Sequence, residues 1–259
     1  MRNTALITGG SGGIGLELSK LFASDGIDLM LVARNEEKLI NIKEELETKN
    51  NIEVHILPID LSVKNSPNKI FDFTKDNDLR IEYLINNAGF GHFGYFYDND
   101  WEKEASMINL NITSLTHLTK LFLAEMIEKN SGKILNVAST AAFQPGPLMA
   151  VYYATKAYVL HFSEAINEEL DGKNITVTAL CPGPTETSFQ ERAEMEDSKF
   201  LDIANLQTAR DVAEFGYNAM QKGQSLAIPG FSNKITAFMN RILPRKTIVN
   251  MVKNISLPK

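Results

Sequence analysis

Short apolar runs of strand length alternate along the chain with longer stretches whose apolar positions recur every three to four residues. Thr4 to Thr8 (TALIT) reads as a first buried strand, and Asp28 to Ala33 (DLMLVA) as a second. Glu53 to Pro58, Glu82 to Asn86, Lys133 to Ala138, Ile175 to Leu180 and Ser225 to Ile228 supply five more. Between them, Gly15 to Ser24 reads as a helix with Leu16, Leu18, Leu21 and Phe22 available for an inner face and Gly26 as its stop. Glu36 to Thr48 reads as a charged surface helix, and Asp100 to Asn130 and Val151 to Asp171 as long helices, the latter closed by Gly172. Strands that are apolar throughout, joined by helical crossovers, are the pattern of stacked βαβ units. The expectation is an α/β fold: a doubly wound Rossmann-type domain over residues 1–259, with a seven-stranded parallel sheet and helices on both faces.

Composition narrows this little. Hydrophobic residues at 44% and charged residues at 22% lie near the globular average and exclude disordered, collagenous and coiled-coil readings. The lone Cys181 has no partner for an internal disulfide and no Cys/His cluster has metal-ligand spacing, so neither a disulfide scaffold nor a metal site is expected. No apolar run is long enough to span a membrane, the opening MRNTALITGG does not resemble a signal peptide, and a reducing cytoplasm is the expected setting.

Charge is unevenly placed. Lys234, Arg241, Arg245, Lys246, Lys253 and Lys259 stand without any acid between Phe231 and the end of the chain, so the preceding 230 residues carry −12 of the net −6. An acidic body argues against general nucleic-acid binding, which needs a cationic face.

Chemistry enters at the end of the first strand. Thr8-Gly9-Gly10-Ser11-Gly12-Gly13-Ile14-Gly15 leads from strand to helix, where a dinucleotide pyrophosphate can approach bare backbone at a helix N-terminus. Two registers fit: Gly10-x-Gly12-x-x-Gly15, or the wider Thr8-Gly9-x-x-x-Gly13-x-Gly15. At the end of the second strand, Val32-Ala33-Arg34-Asn35 carries no acid for a ribose 2′-hydroxyl. Arg34 instead offers a planar fork suited to a 2′-phosphate, which favours NADP over NAD; the alternative is a solvated arginine paired with Glu36 or Glu37. Further on, Tyr152 and Lys156 lie four apart on one helix face, and Ser139 ends a strand 13 residues earlier. A phenol ionising near ~10 needs about 4 kcal/mol of help to reach neutrality, which an adjacent ammonium can supply.

Together with Asp60-Leu61, Asn86-Asn87-Ala88-Gly89, Asn111 and Pro182-Gly183-x-x-x-Thr187, these motifs resemble the short-chain dehydrogenase/reductase family in order and separation, over residues 4 to 230. Within it the chain is most similar to bacterial NADP-dependent reductases without an assigned substrate. The resemblance implies an NADP(H)-dependent carbonyl reductase or alcohol dehydrogenase. Tyr152 would be the proton donor, with Tyr153 its rival. Ser139 would bond the same substrate oxygen, Lys156 would bind ribose and depress the phenol pKa, and Asn111 would hold a relay water. Gly9, Ser11, Gly13, Ile14 and Gly15 would take the pyrophosphate, and Asp60, with Leu61, the adenine. Asn87, Ala88 and Gly89 would line the cofactor, while Pro182, Gly183 and Thr187 would close its nicotinamide end. A homodimer or homotetramer pairing through the two long helices is implied as well. Two other readings remain: a non-catalytic NADP-binding sensor, and a peripheral-membrane reductase of long-chain acyl or lipid carbonyls.

The remaining features are read individually. Of the four histidines only His92, in the loop after Gly89, is placed to reach a substrate. Cys181 reads as a core residue, and Trp101 as the anchor of its helix. Residues 188–206 are expected to form a substrate lid, with Phe189, Met195 and Phe200 as contacts. The tail over 231–259 is expected to form two amphipathic helices split at Pro244. Packing of that tail on the body, over the pocket or in a subunit interface is favoured over contact with anionic lipid.

Overall fold

A strand that is apolar at every position must be covered on both sides, and the computed structural model, which describes residues 3–195 and 206–257, shows how that is met. The strands are β1 (Asn3–Thr8), β2 (Asp28–Ala33), β3 (Val54–Pro58), β4 (Arg80–Asn86), β5 (Gly132–Val137), β6 (Ile175–Leu180), β7 (Thr185–Glu186), β8 (Gln207–Thr208) and β9 (Leu226–Ala227). Seven of them form a sheet in the order β3-β2-β1-β4-β5-β6-β9, every pairing parallel, and β7 and β8 form a separate small pair. The helices are α1 (Gly13–Ser24), α2 (Glu36–Lys49), α3 (Ser66–Asp76), α4 (Trp101–Ile108), α5 (Leu115–Lys129), α6 (Ala150–Glu169), α7 (Phe189–Arg192), α8 (Ala209–Gln221), α9 (Phe231–Met239) and α10 (Arg245–Ser256).

Alternation along each strand divides the core in two. Ala5, Ile7, Leu29 and Leu31 pack with Leu18 and Phe22 of α1, Leu39 of α2 and Val212 and Met220 of α8. Leu6, Met30, Val32 and Leu84 point the other way, against Ile70 of α3 and Leu118, Phe122 and Met126 of α5. Register keeps like with like: Leu6 pairs with Met30 on one side and with Leu84 on the other. The strand order reverses between β1 and β4, and this switch point opens a crevice at the carboxyl ends of the strands, where ligands of such sheets bind.

A buried polar ladder crosses the middle of the sheet. Asn86 Nδ2 donates to Asn136 Oδ1 (2.9 Å) and Thr119 Oγ1 (3.1 Å), Asn136 Nδ2 donates to Ser163 Oγ (2.9 Å), and Ser163 Oγ donates to Val159 O (2.6 Å). It ties α5 and α6 to β4 and β5, so the two long helices hold a fixed height relative to the strand ends.

Two sequence expectations need correction. The helix expected to run unbroken over 100–130 contains a π-helical stretch, Asn109–Ser114, between α4 and α5, the kind of widened turn often found at functional sites. Trp101 does not anchor it: the ring is 63% exposed, and the start is set by Asp100, whose Oδ1 accepts from Glu102 N. The tail forms two helices on either side of Pro244; α10 buries Ile248 and Val252, while α9 buries Ala237 and leaves Phe231, Ile235 and Phe238 exposed. Helices α3 and α8 were not anticipated. Among the described residues no helix is long and apolar enough to cross a membrane.

Asn136→Ala is expected to cost about 1–3 kcal/mol of unfolding free energy in a urea titration, because it removes one of the two partners of both the Asn86 amide and the Ser163 hydroxyl in a dry interior, leaving them Thr119 and Val159.

Candidate active site

The turn between β1 and α1 decides between the two glycine registers. Gly9 and Gly13 adopt φ of 68° and 53°, which favours glycine, and a Cβ on Gly15 would stand 2.3 Å from Gly9 O. Gly12 is unconstrained, since a Cβ there would meet nothing within 4 Å. The wider register, Gly9, Gly13 and Gly15, is therefore the one the backbone requires. The open face at Gly12, beside half-buried Ser11 and Ile14 at the start of α1, is a surface a pyrophosphate fits.

Asn87 builds this turn more than it lines it. Its Nδ2 donates to Thr8 O (2.9 Å) and Gly9 O (3.3 Å), while the Asn87 and Ala88 amides both donate to Thr8 Oγ1 at 3.0 Å. Thr187 arrives from beyond β6 and lies against the turn, its Cγ2 3.0 Å from where a Gly13 Cβ would be. Pro182 O accepts from Thr140 N, and Gly183 O from Thr185 Oγ1, so the segment after β6 is bonded both to the serine loop and to itself.

At the other edge of the crevice, Arg34 Nη1 stands 3.9 Å from Asp60 Oδ2, so its nearest acid is Asp60 and not Glu36 or Glu37. Asp60 Oδ1 is already occupied by the Ser62 amide and hydroxyl, and the neighbouring Leu61 is buried. Arg192 of α7 is a residue sequence reasoning missed. Its pKa is lowered by burial and then by the nearby Arg34 charge, so two guanidiniums share this corner.

Ser139, Tyr152 and Lys156 come together past the end of β5. The Ser139 hydroxyl lies near enough to the Tyr152 phenol to perturb it, accepts from Ala141 N (3.1 Å) and donates to Pro182 O at 3.5 Å. Tyr153, the rival, packs edge-on to the Tyr152 ring with centroids 6.1 Å apart, but its own ring covers Gly146, and burial pushes its pKa up to about 12. Lys156 Nζ donates to Val137 O (2.8 Å) and stands 5.8 Å from the centre of the Tyr152 ring.

Burial dominates the electrostatics of the phenol and the ammonium. Tyr152 is raised from its ordinary value, first by burial, with the Ser139 hydrogen bond pulling it back and Tyr153 adding a smaller rise. Burial also brings Lys156 down to about 8, opposed by the neighbouring Cys181 thiol, which is itself pushed up to about 12. Burial is the largest influence on both groups, and the ammonium itself is held by a strand carbonyl.

Asn111 lies in the π-helical stretch, 1% exposed. Its Nδ2 donates to Phe90 O (2.9 Å) and Thr155 Oγ1 (3.1 Å), and its Oδ1 accepts from Phe90 N. The side chain clamps the loop after β4 onto α6. A Cβ on Gly89 would lie 3.0 Å from Asn111 Oδ1 and 3.5 Å from Lys156 Nζ, so the glycine permits the amide and the ammonium to approach.

An apolar cap closes over the phenol. Phe189 of α7 lies 5.3 Å from the Tyr152 ring, and Met149, Met195, Met107 and Ala193 complete the cluster. Of the three apolar residues expected to contact substrate, Phe189 and Met195 pack beside Tyr152, and Phe200 lies outside the described residues. Glu194, just after α7, pairs with Lys103 (2.7 Å) and stands 3.7 Å from His92 Nδ1, so His92 meets this segment.

Comparison with known proteins places this geometry. A family model described as short chain dehydrogenase matches residues 3–198. An uncharacterized oxidoreductase of Staphylococcus epidermidis is 30% identical over 205 residues, covering 79% of this chain and 87% of that protein. A very-long-chain 3-oxoacyl-CoA reductase of Rattus norvegicus is 35% identical over 185 residues, covering 69% of this chain but only 58% of that protein. Among solved structures, a short-chain dehydrogenase from Sphingobium yanoikuyae in complex with NADPH superposes with a TM-score of 0.84 at 30% identity, over 93% of each chain.

The buried ammonium predicts a pH-dependent stability. Lys156 binds its proton less tightly folded, at about 8, than unfolded, at 10.5, so stability rises as pH climbs through that window. Between about pH 6.5 and about 9.5 the wild type should gain about 2 kcal/mol over Lys156→Met in urea titrations. Parallel curves for the two proteins would show an ammonium that burial does not perturb.

Proposed function

Because the chain belongs to the short-chain dehydrogenase/reductase family, we propose that it is an NADP(H)-dependent carbonyl reductase that converts a ketone or aldehyde to an alcohol and, when the cofactor pool favours it, the reverse. The observation that carries this reading is the meeting of Ser139, Tyr152 and Lys156 at the end of β5, beside the crevice that the glycine turn opens. The nicotinamide dinucleotide, when bound, supplies the hydride.

The chain's own residues do the rest. The open backbone from Gly9 to Gly15 receives the pyrophosphate, Asp60 and Leu61 border the adenine, and Asn87 to Gly89 wall the crevice. Pro182, Gly183 and Thr187 close the nicotinamide end. Tyr152, raised by burial, is protonated at neutral pH and so is a donor suited to a carbonyl oxygen that gains negative charge. Ser139 gives the same oxygen a second hydrogen bond, preorganised where water is excluded. Lys156, still mostly cationic below pH 8, binds ribose hydroxyls and favours the phenolate that donation leaves behind. Asn111 holds the loop carrying Phe90 against α6 and orders the relay that restores the proton. The paired guanidiniums of Arg34 and Arg192 support NADP over NAD, as does the NADPH complex of the Sphingobium neighbour. The exposed Tyr158, stacked 5.5 Å from Phe162 on α6, supports a homo-oligomer pairing through the long helices.

A more specific reading concerns substrate class. The three methionines and Phe189 around Tyr152 form an adaptable apolar wall, which favours a carbonyl carried on hydrocarbon over a sugar or other polar compound. The name of the rat relative supports the same direction.

Tyr152→Phe should abolish NADPH oxidation across a panel of ketones, aldehydes and 3-oxoacyl thioesters, by about 10²-fold or more, while NADPH binding followed by fluorescence persists. A non-catalytic sensor would show no turnover in either protein. Arg34→Leu is expected to raise the KM for NADPH by about 10–100-fold and leave that for NADH little changed, the loss of a charge-assisted contact to a phosphate.

A further inference from the structure

Helix α9 is attached to the body by the side that would ordinarily face water. Ala237 is buried, Asn233 Nδ2 donates to Gln207 Oε1 (3.1 Å) and Pro229 O (2.7 Å), and Asn240 Nδ2 reaches Gln144 Oε1 at 3.4 Å. On the opposite side Phe231, Ile235, Phe238 and Met239, with Ile242 in the turn that continues the helix, fall within an arc of about 100° at helical spacing. They are exposed, from 39% for Met239 to 80% for Phe231. A contiguous apolar stripe turned outward marks an interaction surface.

Charge selects the occupant. Lys234 and Arg241 line one edge of the stripe, and Arg245 and Lys246 follow Pro244. None of these four is ion-paired with an acid among the described residues, although Lys234 Nζ also stands 5.8 Å over the Phe215 ring. No acid occurs from Phe231 onward. A symmetric contact with a second copy would press two cationic faces together, since such an interface repeats the same patch on both sides. A surface that accepts hydrocarbon and cations together is an anionic bilayer, into which such a helix lies with its apolar side at the headgroup boundary.

We propose that α9 and the turn after it dock the protein on anionic phospholipid membranes. The docked face lies close to the catalytic end of the sheet. Asn240 bonds Gln144 just past the serine loop, and a Cβ on Gly183 would stand 2.5 Å from the Asn233 side chain. Docking thus brings the crevice near the interface where carbonyl compounds on long hydrocarbon chains partition. The docking itself does not depend on the reductase reading.

The test is flotation of the full-length protein with vesicles of phosphatidylglycerol and phosphatidylcholine against phosphatidylcholine alone. Anionic vesicles should bind at least about tenfold more tightly, and raised salt should weaken that binding. Phe231→Ser with Phe238→Ser, and separately Arg241→Gln with Lys246→Gln, should each lose about tenfold or more. Turnover of a water-soluble carbonyl compound should be unchanged in both variants, so failure to bind vesicles is distinct from failure of the catalytic reading. Equal binding to both vesicle types, or binding that survives the substitutions, overturns the proposal. So does a dimer in sedimentation equilibrium that the paired Phe→Ser change dissociates, which would make a second copy the occupant.

Discussion

The structure turns on holding a phenol and an ammonium in one dry place. Tyr152 and Lys156 are each less than a tenth exposed, one turn of helix apart, and each is pushed by desolvation toward its neutral form. Such a pair persists only if the surrounding framework fixes it. The strand carbonyl of Val137 takes the ammonium, Ser139 lies beside the phenol, and the Asn86–Asn136–Ser163 ladder fixes α6 against the sheet that carries both neighbours.

The same framework sets the opposite wall of the crevice. Thr8 ends β1 and accepts the amides of both Asn87 and Ala88 after β4, so the two segments on either side of the switch point are bonded into one unit. Thr187 then closes from beyond β6 onto Gly13. A phosphate-bearing ligand and a carbonyl compound would therefore meet walls that are tied to each other, leaving α7 and the residues after it, with Phe189 on the phenol ring, as the part whose identity shapes what enters. Met195 in that part, facing Met149 at the start of α6, gives the wall an apolar, deformable character.

Much of this was legible because the signals are local. Seven runs without an interior charge can only be buried on both faces, and the order of glycines after the first run already pointed to a turn that needs bare backbone. Other features depend on contacts that no local pattern encodes. The π-helical stretch falls in Asn109–Ser114, a segment with neither glycine nor proline to mark it; it is set by Asn111 reaching Phe90 and Thr155. Helix α3 is short and opens at Ser66-Pro67, and α8 begins at the Thr208 cap immediately after a charged stretch that reads as loop. The direction of the Lys156 ammonium follows from a carbonyl nineteen residues away, which the four-residue spacing to Tyr152 does not encode. Arg192 lies in the lid and is brought to Arg34 by the fold alone. The outward turn of α9 is the clearest case, since its periodicity announces an amphipathic helix while only the contacts of Asn233 and Asn240 reveal which side is attached.

A crystal structure of the protein grown with NADPH tests the central claim most directly. The account predicts density for the dinucleotide along the glycine turn, with the nicotinamide ring beside the Tyr152 hydroxyl and the adjoining ribose within hydrogen-bond reach of Lys156. A ring lying away from that hydroxyl, or a dinucleotide bound outside the crevice between β1 and β4, would contradict it.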